Sequence, residues 1–304
     1  MTHRLNLFLL ALLVVLGLPY YVLLIHNPSR DVAPFPLQMA DLRRMASSVP
    51  GPQPQTIAAT FVGWDRTPGN LLAAGSGIKR RLFTVMSFRL DTPGGKPLVI
   101  DTGTTGPLAS RANVERFREG HQRRVDADLA AAGTIIATDE SAETLGGLAR
   151  FAKEPAGAAA LGRALLNPAQ LPAATRGQGL PWPAQLTLPA TIGREPRAIA
   201  PGVVVIPTAA PTPGSEMIYV HLADGREYLF AGPVAPYGVN ATELRTRSLL
   251  TEWWDGPTDR AVTMRWLVTL QHWQKQAPRL FVVTGHDGMA LLDADHPSGI
   301  LLRD

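Results

Sequence analysis

Residues 138–147 read TDESAETLGG and follow directly on a short apolar segment, Thr134–Ala137, that is typical of a buried strand. The stretch leads into a helix predicted over Ala142–Phe151. Other distinctive loops also follow predicted strands. They read LVIDTG at 98–103, TAAPTPGS at 208–215 with LFAGP at 229–233, and VTGHD at 283–287.

These stretches, in this order and at these distances, resemble the signature of the metallo-β-lactamase superfamily. Members of that family typically carry an apolar strand ending in D-T-G, then T-H-x-H-x-D-H-x-G-G, T-P-G-H, F-x-G-D and a late G-H. The resemblance covers roughly residues 56–287. It implies an α+β fold of the metallo-β-lactamase type, a four-layer αββα sandwich. The N-terminal transmembrane helix predicted to precede this domain rests on a separate apolar run, Leu5–Ile25.

Nearly every position at which the family holds a metal ligand carries a different residue type. Gly146-Gly147 align with the family's Gly-Gly pair and set the register. The ligand-equivalent positions are, in chain order, Asp139, Ser141, Glu143, Thr144, Ser215, Pro233 and His286. The first, second and fifth replace histidines, the third and fourth replace an Asp-His pair, and the sixth replaces the bridging aspartate. Only His286 has the residue type of the family pattern.

The residues that remain do not fit a zinc pair. Zinc catalysis in this fold uses neutral imidazoles and carboxylates that bind the metal and lower the pKa of its water. Serine and threonine hydroxyls stay protonated near neutral pH, and Pro233 has no side-chain donor. We therefore expect no cofactor, or one divalent ion such as Mn²⁺, Mg²⁺ or Ca²⁺. Asp139, Glu143 and His286 are the candidate ligands and the candidate catalytic residues.

Asp101 admits more than one interpretation. In the resemblance, Asp101, Gly103 and Gly214 shape the loops of the site, and Asp101 orients the loops beneath the metal. A simpler alternative is a turn carboxylate that accepts backbone N–H bonds after a strand. The run VIDTGTT is also similar to the catalytic loop of aspartic proteases, in which two carboxylates share a proton, so a retropepsin-like chain with one copy would dimerise.

The N-terminus carries a long apolar run. Leu5–Ile25 is apolar except for Asn6, and as a helix its 21 residues would span about 31 Å, close to the thickness of a bilayer core. Residues 1–27 are therefore predicted to be a transmembrane signal-anchor. Arg4 precedes the run, which places the rest of the chain on the outer, periplasmic or extracytoplasmic, side. A cleaved signal peptide is the alternative, although bulky residues 19–21 offer no Ala-x-Ala-like site.

The remainder divides at a proline-rich stretch. Residues 28–54 are predicted to be a tether with one short amphipathic segment near Leu37–Met45, and residues 55–304 to be the metallo-β-lactamase-like domain. Within the domain, apolar spacing predicts a single helix over Ser110–Ala132, and Asp-Gly predicts a hairpin at 223–226. Four tryptophans on the last predicted helices indicate core packing: Trp253, Trp254, Trp266 and Trp273.

The amino-acid composition excludes some kinds of site and argues against some kinds of partner. The chain has no cysteine, which excludes disulfides, thiolate zinc sites and a cysteine nucleophile. Its formal net charge is +4, and its arginines are scattered without a basic block, which argues against nucleic-acid binding. The expected partners are the membrane and a small molecule or protein of unknown identity.

Three functions are compatible with these features. The first is a membrane-anchored metallo-β-lactamase-like protein with a degenerate metal site that lacks a zinc pair, a pseudoenzyme with a binding or scaffold role. The second is an active hydrolase using a single metal held by Asp139, Glu143 and His286. The third is a retropepsin-like aspartic protease using Asp101.

Overall fold

The computed structural model describes residues 2–112, 114–295 and 297–303. These residues form two β-sheets covered by helices. The strands are β1 (Thr56–Pro68), β2 (Arg80–Asp91), β3 (Leu98–Ile100), β4 (Arg116–Phe117), β5 (Thr134–Ile136), β6 (Ala164–Leu165), β7 (Arg197–Ala200), β8 (Val203–Pro207), β9 (Glu216–His221), β10 (Glu227–Gly232), β11 (Phe281–Thr284) and β12 (Leu301–Leu302).

In the described part of the chain, two helices precede the strands, and the others lie between strands in the chain. They are α1 (His3–Ile25), α2 (Met39–Ala46), α3 (Gly69–Leu72), α4 (Gly106–Arg111), α5 (Glu119–Ala131), α6 (Ala142–Phe151), α7 (Pro155–Leu161), α8 (Pro172–Thr175), α9 (Gly238–Glu243), α10 (Leu249–Asp255), α11 (Arg260–Gln276) and α12 (Gly288–Leu291).

Both sheets combine antiparallel hairpins with parallel β-α units. The first sheet has the order β12-β1-β2-β3-β5-β6, with β4 also paired to β1, and the second has the order β11-β10-β9-β8-β7. β3, β5 and β6 run parallel, and so do β10 and β11, because helices connect these strands. The remaining central pairs are antiparallel.

Strand alternation builds the layers. Val203 and Val205 of β8 point into the space between the sheets, whereas Val204 and Ile206 face α2 and α11. On the other side, α5, α6 and α7 cover the outer face of the first sheet. The result is the four-layer αββα sandwich that the sequence predicted.

The helix predicted over Ser110–Ala132 is wrong as a single element. The structure has α4 and α5, separated by β4, whose Phe117 pairs with Gly63 of β1. Val114 packs so closely on this glycine that a Cβ there would lie 3.0 Å from Val114 Cγ1. The apolar spacing that predicted a helix therefore reflects contact with β1.

The predicted tether is wrong from Phe35 onward, because its apolar residues are part of the domain core. The Phe35 ring stacks on Trp266 with centroids 4.1 Å apart. Trp273 Nε1 donates a hydrogen bond of 2.7 Å to the Leu37 carbonyl. Leu42 of α2 is fully buried against the second sheet. The amphipathic segment predicted near residues 37–45 is confirmed as α2.

The 223–226 hairpin is confirmed, but not as the type I′ turn for which Asp-Gly is suited. Gly225 has a φ of +85°, whereas Asp224 is not among the described residues with positive φ. Leu222 N donates to Arg226 O at 2.9 Å, which closes a three-residue loop.

Candidate functional site

Parallel pairing brings the distinctive loops together. β3 and β5 are parallel neighbours, so the loops that begin at Asp101 and Thr138 leave the first sheet at the same edge. β10 and β11 are also parallel neighbours, so the loops that carry Pro233 and His286 leave the second sheet side by side. The four loops thus meet at one end of the sandwich.

Close contacts join these loops across the two sheets. The Asp101 carboxylate accepts hydrogen bonds from Thr138 N at 2.7 Å and from the Thr138 hydroxyl. Thr138 in turn packs on Gly232, where an added Cβ would lie 2.7 Å from Thr138 Cβ. Gly285 lies against Gly232, because a Cβ added at Gly285 would lie only 2.6 Å from Gly232 O.

Asp101 therefore has the structural role expected of a turn carboxylate. Its backbone is in the left-handed region with a φ of 58°, and its side chain is buried on Thr138. Burial raises the pKa of Asp101 to about 8. The aspartic-protease hypothesis is wrong, because this αββα sandwich is a different fold and the carboxylate faces its own chain.

The glycines of these loops allow close packing between neighbouring segments. Gly147 N donates to Gly103 O at 3.0 Å, so the second turn of α6 lies directly on the D-T-G loop. A Cβ at Gly147 would lie 1.9 Å from Thr102 O. Gly103 itself has a φ of +70° and faces Gln122 Oε1 at 2.3 Å from an added Cβ. The frame of the site thus needs these glycines whatever chemistry the site performs.

Asp139, at the first ligand-equivalent position, is engaged within its own loop. Its carboxylate accepts a hydrogen bond from Ser141 N at 2.9 Å and another from the Thr144 hydroxyl. The Ser141 hydroxyl lies 3.2 Å from Thr144 Oγ1. Three ligand-equivalent side chains therefore form one hydrogen-bonded cluster at the start of α6.

Ser215, at the T-P-G-H histidine position, is likewise turned inward. It is buried, and its hydroxyl lies 2.9 Å from Thr212 Oγ1, which donates to Glu140 Oε2 at 2.9 Å. Gly214 makes room for this carboxylate, because a Cβ there would lie 2.3 Å from Glu140 Oε2. Glu140 thus holds the 208–215 loop against the 138–147 loop, while Pro233 contributes no polar side-chain atom.

Among the residues that the structure describes, His286 forms a hydrogen bond through only one of its ring nitrogens. Its Nδ1 lies 3.1 Å from Thr84 O, and because a carbonyl only accepts, Nδ1 carries the proton. The ring stacks on Phe83 with centroids 3.9 Å apart. Burial lowers the pKa of His286 to about 4, which leaves Nε2 as an unprotonated acceptor at neutral pH.

The charge of Asp139 acts on both Glu143 and His286, but these three side chains do not form a metal cage. Burial, and then the charge of Asp139, raises the pKa of Glu143. Asp139 also acts on His286. Among the residues that the structure describes, no three His, Asp or Glu side chains are grouped so that they could hold a metal ion.

Sequence reasoning missed several charged residues of this region. Arg247 and Asp255 form an ion pair, and their charges act on His286 and Glu143 respectively. Nothing in their sequence positions, about a hundred residues beyond the end of α6, indicated this placement. Glu216 was also missed; it is fully buried, and Asn167 Nδ2 donates to its Oε1 at 2.7 Å.

Comparison with known proteins adds information on the fold. No protein-family profile matches the sequence, and no curated protein matches it. Solved structures do match. An N-acyl homoserine lactone hydrolase with N-hexanoyl-L-homoserine bound at its catalytic metal centre has a TM-score of 0.60 at 13% identity, covering 78% of this chain and 95% of that one.

Two further structures agree. A quorum-quenching N-acyl homoserine lactone lactonase has a TM-score of 0.57 at 13% identity, covering 78% of this chain and 94% of its own. A probable metal-dependent hydrolase from Staphylococcus aureus has a TM-score of 0.55 at 13% identity, covering 78% and 91%. At such identities the likeness shows a shared fold and not a shared activity.

Proposed function

From the metallo-β-lactamase fold of this chain, we propose that the protein is a membrane-anchored, metallo-hydrolase-like domain that binds a ligand without a zinc pair. In this proposal the site keeps the loops of the fold and uses polar side chains in place of zinc chemistry. The proposed role is that of a pseudoenzyme, a binding or scaffold protein.

The observation that carries the proposal is that ligand-equivalent side chains form hydrogen bonds within their own loops. Asp139 is bound by Ser141 and Thr144, and Ser215 is bound by Thr212. A zinc pair needs deprotonated oxygen, nitrogen or sulfur ligands that point at a common centre. Hydroxyls and a proline do not meet this requirement, so the residues present do not fit a zinc pair.

The remaining polar atoms suit ligand binding. His286 offers an unprotonated Nε2, Glu143 offers a carboxyl whose pKa is raised by burial, and Arg247 adds a positive charge nearby. Such a set can accept and donate hydrogen bonds to a polar group of a ligand.

Membrane anchoring by α1 is part of the proposal. His3–Ile25 is a 23-residue helix with a mean hydropathy of 2.6, and the domain covers none of its apolar window. A helix that is apolar on all sides and uncovered needs an apolar environment. We place the domain on the outer, periplasmic or extracytoplasmic, side because Arg4 precedes the helix. Protease added to sealed spheroplasts should degrade the domain; full protection would reverse the orientation.

Metal analysis of the full-length protein in detergent tests the absence of a zinc pair. We expect far less than one tightly bound zinc per chain after purification in zinc-containing buffer. About two zinc ions per chain would refute the proposal. Hydrolysis of N-hexanoyl-homoserine lactone, the substrate type of the similar enzymes, should stay at the level of a no-protein control, and metal-dependent turnover would also refute it.

A single-metal hydrolase is the second candidate, favoured by the electrostatic contact of Asp139 with both Glu143 and His286. It predicts that Mn²⁺ raises the melting temperature and that His286→Ala abolishes this rise. His272→Ala is the matched control, because His272 lies on α11 and contacts Gln38 and Gln276. No Mn²⁺-dependent rise in the wild type would eliminate this candidate.

A further inference from the structure

The end of α1 is held by the domain and not by a linker. Gly75 N donates to Leu24 O at 2.8 Å, and Asn27 Nδ2 donates to Ala74 O at 3.1 Å. The Arg260 guanidinium donates to His26 O. Because these bonds come from within the domain, the position of the domain relative to the last turn of α1 is fixed.

Two segments surround this end of the helix. Residues 69–80 contain α3 and the loop after it, and residues 245–255 contain α10 and the loop before it; together we call them the collar. Thr251 Oγ1 donates to Leu71 O at 2.7 Å and joins the two segments. α3 and α10 both contact Tyr21–Ile25. The collar therefore lies at the depth of the last turns of α1.

The collar exposes large apolar side chains. Trp253, Trp254 and Ile78 are 77%, 63% and 76% exposed, more than any other described large apolar residue outside α1. The prediction of core packing is confirmed for Trp266 and Trp273 but is wrong for Trp253 and Trp254. Lys79 and Arg80, which follow Ile78, are exposed as well.

Tryptophan beside a membrane helix has a well-defined physical preference. Its large ring and single N–H suit the layer between hydrocarbon and water, where tryptophan is enriched in membrane proteins. Basic side chains at the same level meet lipid phosphates. The collar combines both features around the point at which α1 would leave the bilayer.

We propose that the collar seats in the lipid headgroup layer of the membrane that α1 crosses, with Trp253, Trp254 and Ile78 inserted among the lipids. This inference rests on the proposed membrane insertion of α1. α10 begins two residues after Arg247 and ends at Asp255. These two residues form the ion pair whose charges act on His286 and Glu143 of the candidate site. Seating the collar thus places the candidate site beside the membrane surface.

Quenching of tryptophan fluorescence by brominated lipid tests the proposal. The full-length protein is reconstituted in nanodiscs of phosphatidylcholine, with or without bromine on the upper acyl carbons. We expect bromine to remove up to about a third of the emission, since two of the six tryptophans would insert. The double variant Trp253→Phe/Trp254→Phe should lose this quenching, and the control Trp64→Phe should keep it.

The outcomes separate the two proposals. Extraction of the protein from native membranes by alkaline carbonate would overturn membrane insertion of α1, and the inference with it. Retention in the membrane without bromine quenching would overturn the seated collar alone. Equal quenching in the double variant would also overturn it, because the signal would then come from other tryptophans.

Discussion

The substitution Gly147→Ala tests whether close packing requires glycine at the second position of the Gly146-Gly147 pair. A Cβ at this position would lie 1.9 Å from Thr102 O and 2.7 Å from Gln122 Nε2. The Cβ cannot rotate away, and Thr102 O is held because it accepts a hydrogen bond of 3.0 Å from Gln122 Nε2. The second turn of α6 would have to move by about 1.5 Å to reach an ordinary contact.

The expected loss of stability follows from that movement. Overpacking costs about 1–3 kcal/mol. The displaced turn also loses the bonds from Gly147 N to Gly103 O and from Leu148 N to Thr102 Oγ1, each 3.0 Å long, at about 1 kcal/mol apiece. The free energy of unfolding should fall by about 3–5 kcal/mol, which for a domain of this size lowers the melting temperature by roughly 6–20 °C.

Circular dichroism of the full-length protein in detergent measures this change during heating. Gly193→Ala is the matched control, because a Cβ at this exposed glycine meets no atom within 4 Å and its φ is not positive. We expect the control to be neutral or stabilising by up to about 1 kcal/mol. If Gly147→Ala melts within about 2 °C of the wild type, the packing explanation is incorrect.

Three further predictions concern buried groups. Burial raises the pKa of Glu216 to about 8 from 4.5, so its favourable contribution is complete below pH 4.5 and is lost as the pH rises through 8; Glu216→Gln should therefore raise the melting temperature more at pH 8 than at pH 5, and an equal change at both would contradict this. Leu42→Ala should lower the free energy of unfolding by about 2–5 kcal/mol, because the side chain is fully buried, whereas exposed Arg44→Ala should change it by less than about 0.5 kcal/mol in the same denaturant titration; equal effects would mean that α2 is a free tether. The imidazole of His286 should stay neutral until about pH 4 in an NMR titration, and a midpoint near 6.5 would show that the ring is solvated.

Local sequence patterns were sufficient to predict most of the helices and strands that position the site. The helix over Ala142–Phe151 has the observed bounds of α6, and the strand before it was placed to within one residue. Alternation of apolar residues and turn chemistry depend on near neighbours, so they can be recognised in sequence. The helix prediction failed in the region after Ser110 because Val114 and Phe117 contact β1, which is about fifty residues away in the chain.

The position of the candidate site could be predicted from the sequence, but the hydrogen bonds within it could not. Parallel strands must end their loops at one edge, so the meeting of the Asp101 and Thr138 loops followed from strand order. The bonds of Asp139 to Thr144 and of Glu140 to Thr212 did not, since any of several polar neighbours was available to each carboxylate. Arg247 and Asp255 came from a region with no motif.

The sequence alone determined the order of strands and loops, the apolar character of α1 and the residue types at the ligand-equivalent positions. The last point does not depend on the fold, because no conformation can turn Pro233 into an aspartate or Thr144 into a histidine. Only the tertiary structure decided what the replaced side chains bind, that residues 35–46 belong to the core, and that the end of α1 is fixed beside Trp253 and Trp254. Those outcomes depend on contacts between residues far apart in the chain, which local spacing does not encode.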